Sequence, residues 1–133
     1  MRIVLDTNVL LSGLLMRGTC EAVLDACLGS DEHTIVLSEH ILGEFARQAE
    51  TKLRVPASHV EETVRFLRSR AQVVQPASIG AGACRDPDDL AVLGTLSAAE
   101  ADCLVTGDAD LLSLGAFEGR PIVSPRRFVE RLA

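Results

Sequence analysis

Two short apolar runs in this sequence end on carboxylates. Arg2-Ile3-Val4-Leu5 stops at Asp6, with Thr7 and Asn8 behind it, and Cys103-Leu104-Val105-Thr106 gives way to Gly107-Asp108-Ala109-Asp110. Short runs of this kind read as strands buried on both faces of a parallel sheet. In an open α/β sheet the crevice beyond the carboxyl ends of the strands is where ligands bind. Neighbouring strands lie about 4.8 Å apart, so acids ending two adjacent strands can share one divalent cation. Each acid also has a plainer role open to it, as the cap of the helix that follows. Two such ends at one sheet edge weigh toward a site, because like charges there repel unless a cation holds them.

Further acids stand at other helix starts. Asp86-Pro87-Asp88-Asp89 has a cap, a proline at the first helical position and acids through the first turn. Such acids favour the helix dipole by about 0.3–1 kcal/mol each, which is a sufficient structural reason for them. Asp86 and Asp89, three apart, can also point into a shared pocket. In the middle of the chain Ile41, Leu42, Phe45 and Ala49 form an apolar helical face flanked by both Glu39 and Glu44. Periodicity does not choose between those two glutamates. His33, His40 and His59 lack the spacing of a zinc pair and read as surface or satisfied residues. There is no Walker loop, no G-x-G-x-x-G and no EF-hand loop after Asp108-Ala-Asp110. Asp6-Thr-Asn8 also lacks the second aspartate of haloacid-dehalogenase-type phosphatases, which argues against a small phosphatase of that kind.

The elements that must position these acids follow from pattern. Val9 to Met16 predicts a buried helix, and Thr19 the cap of a second one over Cys20 to Leu28. Thr34 to Leu37 predicts a strand, with Ser38 capping the next helix. Pro56 opens a helix over Ser58 to Ser69 with Val60, Val64 and Leu67 inward, and Gln72 to Gln75 a strand near a sheet edge. Pro76 to Ala83 has loop composition. The helix capped by Asp86 is expected to run to about Ala101 and feed the strand Cys103 to Thr106. Leu111 to Leu114 is a helical piece, Pro121 to Val123 a last strand, and Ser124-Pro125 starts a final helix through Leu132. Right-handed crossovers turn this order into a parallel sheet covered by helices on both faces. No boundary interrupts the pattern, so residues 1–133 are expected to form one domain.

Composition sets further bounds. The 133 residues are 47 % hydrophobic and 24 % charged, a globular balance. Four Phe, no Trp and no Tyr weigh against recognition of single strands by aromatic stacking. A net charge of −6 excludes a general basic surface for nucleic acid. A pocket of acids holding a divalent cation can nevertheless attract phosphate. Lys52 is the only lysine, and the other basic side chains are arginines. The four cysteines show no metal-binding spacing and read as reduced core residues. Asp6 interrupts any signal-peptide core, and no apolar stretch approaches the roughly 20 residues of a membrane span. A cytoplasmic protein is expected, with no membrane partner.

Set in order, these segments resemble the PIN-domain family, and more narrowly the VapC-type toxins of prokaryotic toxin–antitoxin pairs. The residues that carry the likeness are Ile3 to Ser12, Leu37-Ser38-Glu39 with Ile41-Leu42-Gly43-Glu44, Asp86-Pro87-Asp88-Asp89, Ala101 to Leu112, and Ile122 to Phe128. The resemblance implies a three-layer α/β/α fold with a parallel sheet in the order 3-2-1-4-5. It implies a pocket of acids binding Mg²⁺ or Mn²⁺ and metal-dependent endonucleolytic cleavage of single-stranded RNA. Carried over by position, Asp6, Glu44, Asp89 and Asp108 match the catalytic, metal-binding acids, so the likeness breaks the tie between Glu39 and Glu44. Asp86 and Asp110 match auxiliary ligands, and Asn8 or Thr106 groups that orient ligands or water. A cognate antitoxin and a homodimer are implied as partners. Four carboxylates in one pocket are expected to raise the pKa of at least one of them. Arg17, Arg47 and Arg85 lie nearest the acids in sequence and are candidate substrate contacts. The rival is a catalytically silent PIN-like module that binds RNA or a protein.

Overall fold

A computed structural model describes residues 1–132. Its sheet is built from β1 (Arg2–Leu5), β2 (Thr34–Ser38), β3 (Ala71–Val74), β4 (Cys103–Val105), β5 (Ala116–Phe117) and β6 (Arg120–Val123), in the order β3-β2-β1-β4-β6-β5. The first five of these, counted across the sheet, are parallel. The expected order 3-2-1-4-5 is therefore the order of the parallel strands, with Arg120–Val123 as the fifth. The correction is one extra edge strand. Ala116–Phe117 pairs antiparallel with Arg120–Pro121 across a two-residue turn in which Glu118 and Gly119 have φ of 51° and 78°. That is the conformation tight hairpins demand, and two residues are too few for periodicity to reveal.

The described residues form seven α-helices, α1 (Thr7–Leu15), α2 (Thr19–Leu28), α3 (Glu39–Thr51), α4 (Ala57–Arg70), α5 (Pro87–Ala98), α6 (Ala109–Leu114) and α7 (Pro125–Leu132), and one 3-10 turn over Ala81–Ala83. Helix α1 packs on α2 and α3, α3 on α4, and α2 on α7, while α5 reaches β2 and α3. Beyond Arg2, the central strands β1 and β4 are apolar and nearly inaccessible, with Ile3, Val4, Leu5, Leu104 and Val105 at 0 % exposure. Burial of this kind is worth about 1.5–3 kcal/mol for each large side chain, and it fixes where the strands end.

Most boundaries shift by a residue or two from the expectation, and three of the shifts have a clear local cause. Helix α1 starts at Thr7, because Asp6 itself is its cap. Thr19 lies inside α2 rather than capping it; Gly18, at φ 140°, precedes the helix without a side-chain cap. Helix α5 ends at Ala98, because Glu100 turns into the left-handed region (φ 48°) and Ala101 donates back to the Leu96 carbonyl. At Gly94 the loop before α5 comes so close that an added Cβ would meet the Ala77 backbone, and Ala77 donates to the Gly94 carbonyl at 2.9 Å. This contact fixes the approach of the Pro76–Ala83 loop to α5. All four cysteines are free, and burial pushes the Cys27 and Cys103 thiols up to about 12 and about 11.

Candidate metal centre

The sheet delivers two acids side by side. Ile3, Val4 and Leu5 of β1 pair in register with Cys103, Leu104 and Val105 of β4, and the pairing continues as Asp6 donates its N–H to the Val105 carbonyl at 3.0 Å. The next residue on each strand is then Asp6 on one side and Thr106 on the other. Thr106 Oγ1 donates to Asp6 Oδ2 at 2.7 Å and accepts from the Asp108 N–H at 3.0 Å. Asp6 Oδ1 accepts from the Thr7 N–H at 2.7 Å, and Asn8 Oδ1 from the Gly107 N–H at 3.1 Å. These four bonds stitch the ends of β1 and β4 and hold Asp6 in one rotamer. Asp6 is both a helix cap and a wall of the cleft beyond it.

Two helices bring the other acids. Asp86 caps α5 by accepting from the Asp88 N–H at 2.9 Å. One turn in, Asp89 is only 6 % exposed, and its Oδ2 is buried without a hydrogen-bond partner among the described residues. On α3, Ser38 caps the helix and Ile41, Leu42, Phe45 and Ala49 bury its apolar face. Glu44 flanks that face and turns into the cleft, accepting from Thr7 Oγ1 at 3.5 Å. Glu39 turns out instead, where Arg68 of α4 grips both its oxygens at 2.7 Å. The tie that periodicity left is thereby resolved in space: one glutamate is in the cleft and the other is in a surface clamp.

The cleft has a volume of about 360 Å³. Asp6, Glu44, Asp86, Asp88, Asp89 and Asp108 all line it. Single ligand atoms of Asp89, Asp108 and Asp110 lie within 4.8 Å of one another, and so do those of His40, Glu44 and Asp88. The charge balance is poor for an empty site. Burial, then the charges of Asp108, Asp86, Asp6 and Asp110, push the Asp89 carboxyl up to about 7. Burial also raises Asp6, against the pull of its Thr106 and Thr7 hydrogen bonds. Glu44 is raised by burial and by Asp88, with His40 and Arg47 opposing. The expected raised pKa is therefore present, and Asp89 is where it is largest.

Of the sequence candidates, Asp6, Asn8, Glu44, Arg47, Asp86, Asp89 and Asp108 line the cleft. Thr106 is fully buried beneath it, and Asp110 borders it through Asp89 and Asp108. Arg85 lies beside Cys84 and Asp110 in a separate small cavity. Arg17 is exposed beyond the end of α1 and does not line the cleft. Sequence reasoning missed His40, Asp88, Gln48 and Lys52. His40, read as a surface or satisfied residue, has its Nε2 buried and unpartnered, 3.5 Å from Glu44 and 3.7 Å from Asp88. The missed signal was the spacing: residues 40, 44, 48 and 52 share one helical face.

The family profile of the PIN domain matches residues 2–110. The chain belongs to the PIN-domain family. No curated protein sequence matches it closely. Among solved structures, this PIN domain is similar to VapBC2 from Rickettsia felis bound to a DNA fragment from its promoter, at 14 % identity and a TM-score of 0.64, over 93 % of this chain and 98 % of that one. It is similar to VapBC-1 from nontypeable Haemophilus influenzae (17 %, TM-score 0.61, 85 % and 91 %). It is also similar to VapC20 from Mycobacterium tuberculosis, a sarcin-ricin-loop-cleaving toxin (15 %, TM-score 0.63, 90 % and 99 %). At these identities the likeness establishes the shared fold.

The donor set of this PIN domain fits a hard divalent cation. Carboxylate oxygens dominate it, no cysteine lines the cleft, and Asp89 presents a buried oxygen lacking a partner. A cation would restore the charge balance that burial and mutual repulsion upset.

Proposed function

We propose that this PIN-domain protein is a metal-dependent endoribonuclease that cuts single-stranded RNA and acts as the toxin of an antitoxin-controlled pair. The observation that carries the reading is the buried, unpartnered Asp89 carboxylate facing Asp6 and Asp108 across the ends of two adjacent strands. An uncompensated buried carboxylate costs stability, so a purely structural role accounts poorly for it. A silent binding module would need no such arrangement.

In this reading Asp6, Glu44, Asp89 and Asp108 hold Mg²⁺ or Mn²⁺, with Asp86 and Asp110 as auxiliary ligands. What a divalent cation supplies at such a centre is a nucleophilic water at neutral pH and neutralised charge on the leaving oxygen. The chain supplies the rest. Thr106 donates to Asp6 and so keeps that carboxylate's orientation. Burial and the neighbouring acids hold the Asp89 carboxyl at about 7, so near neutrality it is about half protonated, and ligating a cation would require that proton to leave. Asn8, tied to Gly107, fixes the mouth of the cleft.

The VapBC neighbours support an antitoxin partner. Exposed Met16 and Phe66, beside Leu14 and Leu15, give apolar surface that an antitoxin or a second copy would cover. No helix among the described residues is long and apolar enough to cross a membrane, and we place the protein, as one domain, in the cytoplasm. Incubation with a panel of single-stranded RNAs tests the reading. Cleavage that needs Mg²⁺ or Mn²⁺, stops with EDTA and is lost in Asp6→Asn is expected. A metal-independent rate, or an Asp6→Asn variant as active as wild type, would overturn it.

A further inference from the structure

The acid-lined cleft also has a basic wall, and all of it comes from one helix. Arg47, Gln48 and Lys52, on α3 and its C-cap, line the same cavity as Glu44. Residues three, four and eight positions beyond Glu44 fall on one helical face, so they form a stripe running from the acids toward the end of α3. At 1.5 Å per residue, Lys52 stands roughly 12 Å along the axis from Glu44, a span longer than one nucleotide step. Lys52 is the only lysine of the chain, and among the described residues no carboxylate lies within ion-pair distance of it. Arg47 touches Glu44 only loosely, at 3.6 Å, and is largely exposed.

Each of these residues has a simpler explanation. A cation at the C-terminal end of a helix favours its dipole, and Arg47 offsets Glu44. The dipole explains a cation near Thr51 but not its place in the wall of this cleft. Neither explanation covers an uncharged amide donor standing between two cations.

We propose that Arg47, Gln48 and Lys52 form a track for the sugar-phosphate backbone on one flank of the scissile phosphate, seating single-stranded RNA at the acids. The track rests on the ribonuclease reading and deepens it. It supplies a local positive surface that a net charge of −6 otherwise denies to RNA. With aromatics so scarce, the track reads charge and backbone shape rather than stacked bases. Arg85, next to Asp110 and Cys84, lies outside the stripe.

Binding of a short fluorescein-labelled single-stranded RNA, measured against salt with Ca²⁺ in place of Mg²⁺ so that turnover is held back while every acid of the cleft is kept, tests the track. Arg47→Ala and Lys52→Ala should each lower the steepness of log K against log salt by about 0.7, the value of one phosphate contact on a single strand. Gln48→Ala should weaken binding without changing the slope. Arg126→Ala, on exposed α7, should leave the slope alone. In the otherwise wild-type enzyme, Lys52→Ala should raise KM with kcat nearly kept. Shortening the RNA on one flank should abolish the Lys52→Ala effect, while shortening the other flank should not. Unchanged slopes in an Arg47→Ala/Lys52→Ala double variant, with the wild type still cleaving RNA, would overturn the track and leave the nuclease standing. So would a Lys52→Ala loss indifferent to which flank is cut. A wild-type protein that neither binds nor cleaves RNA would sink both.

Discussion

Glu39 and Glu44 stand about one and a half turns apart on helix α3, and they live in opposite circumstances. Glu39 is exposed and held by two 2.7 Å bonds from Arg68, which lowers its pKa. Glu44 is half-buried among other acids, and burial together with Asp88 raises its pKa. Near Glu39 the charges are matched and water is close, so the pair needs nothing more and contributes little. Around Glu44, Asp89 and Asp6 negative charge is in excess and partly dry, an imbalance that a proton on Asp89 or an added cation would relieve. An acid whose partner is already present is structural; an acid left unbalanced by the fold points to what is bound.

The largest effect expected from this contrast is on turnover. Replacing Asp6, Glu44, Asp89 or Asp108 by its amide should lower RNA cleavage by more than about 100-fold, beyond the 10–100-fold typical of losing a group that merely supports a ligand. Far-ultraviolet circular dichroism should show the fold intact. Thr106→Val should fall within that 10–100-fold range, because it frees the Asp6 rotamer without removing a carboxylate. Thr106→Ser should recover most of the loss.

Stability supplies the next test, and its sign is the reverse of the usual surface acid. Asp89 titrates near 3.8 unfolded and about 7 folded. Between those values the native state holds the proton and the unfolded state does not, so stability of the metal-free protein falls as pH rises. Above about 7 the full penalty remains. Asp89→Asn should therefore raise the melting temperature of the metal-free protein at pH 8 and change it little at pH 4, as differential scanning calorimetry would show. The smallest effect belongs to the clamp. Glu39→Gln should leave cleavage at the wild-type rate and lower stability only slightly, by an amount that shrinks as salt is added.

Much of this was legible in the residues. The strands β1 and β4 announce themselves by unbroken apolar runs, and Asp6 and Asp108 by ending them. The start of α5 was plain from Asp86-Pro87, since cap and proline act locally. What escaped depends on tertiary placement. The hairpin strand β5 has only two residues, and its turn uses Glu118 at a positive φ that no residue type there advertises. Periodicity did not separate Glu44 from Glu39, a choice that only the family likeness made, because Arg68 and Asp88 reach the two glutamates from other helices. His40 and Lys52 were visible as members of the 40-44-48-52 face, but the apolar stripe beside them does not say that a cleft lies over that face.

The most direct test is calorimetric titration of the metal-free protein with Mn²⁺ across pH 6 to 8, in two buffers of different ionisation enthalpy. If unbalanced carboxylates make the site, binding should tighten as pH rises through about 7, release protons on the acid side of that value, and disappear in Asp89→Asn. Binding with the same affinity and no proton release at every pH, or retained in full by Asp89→Asn, would contradict it.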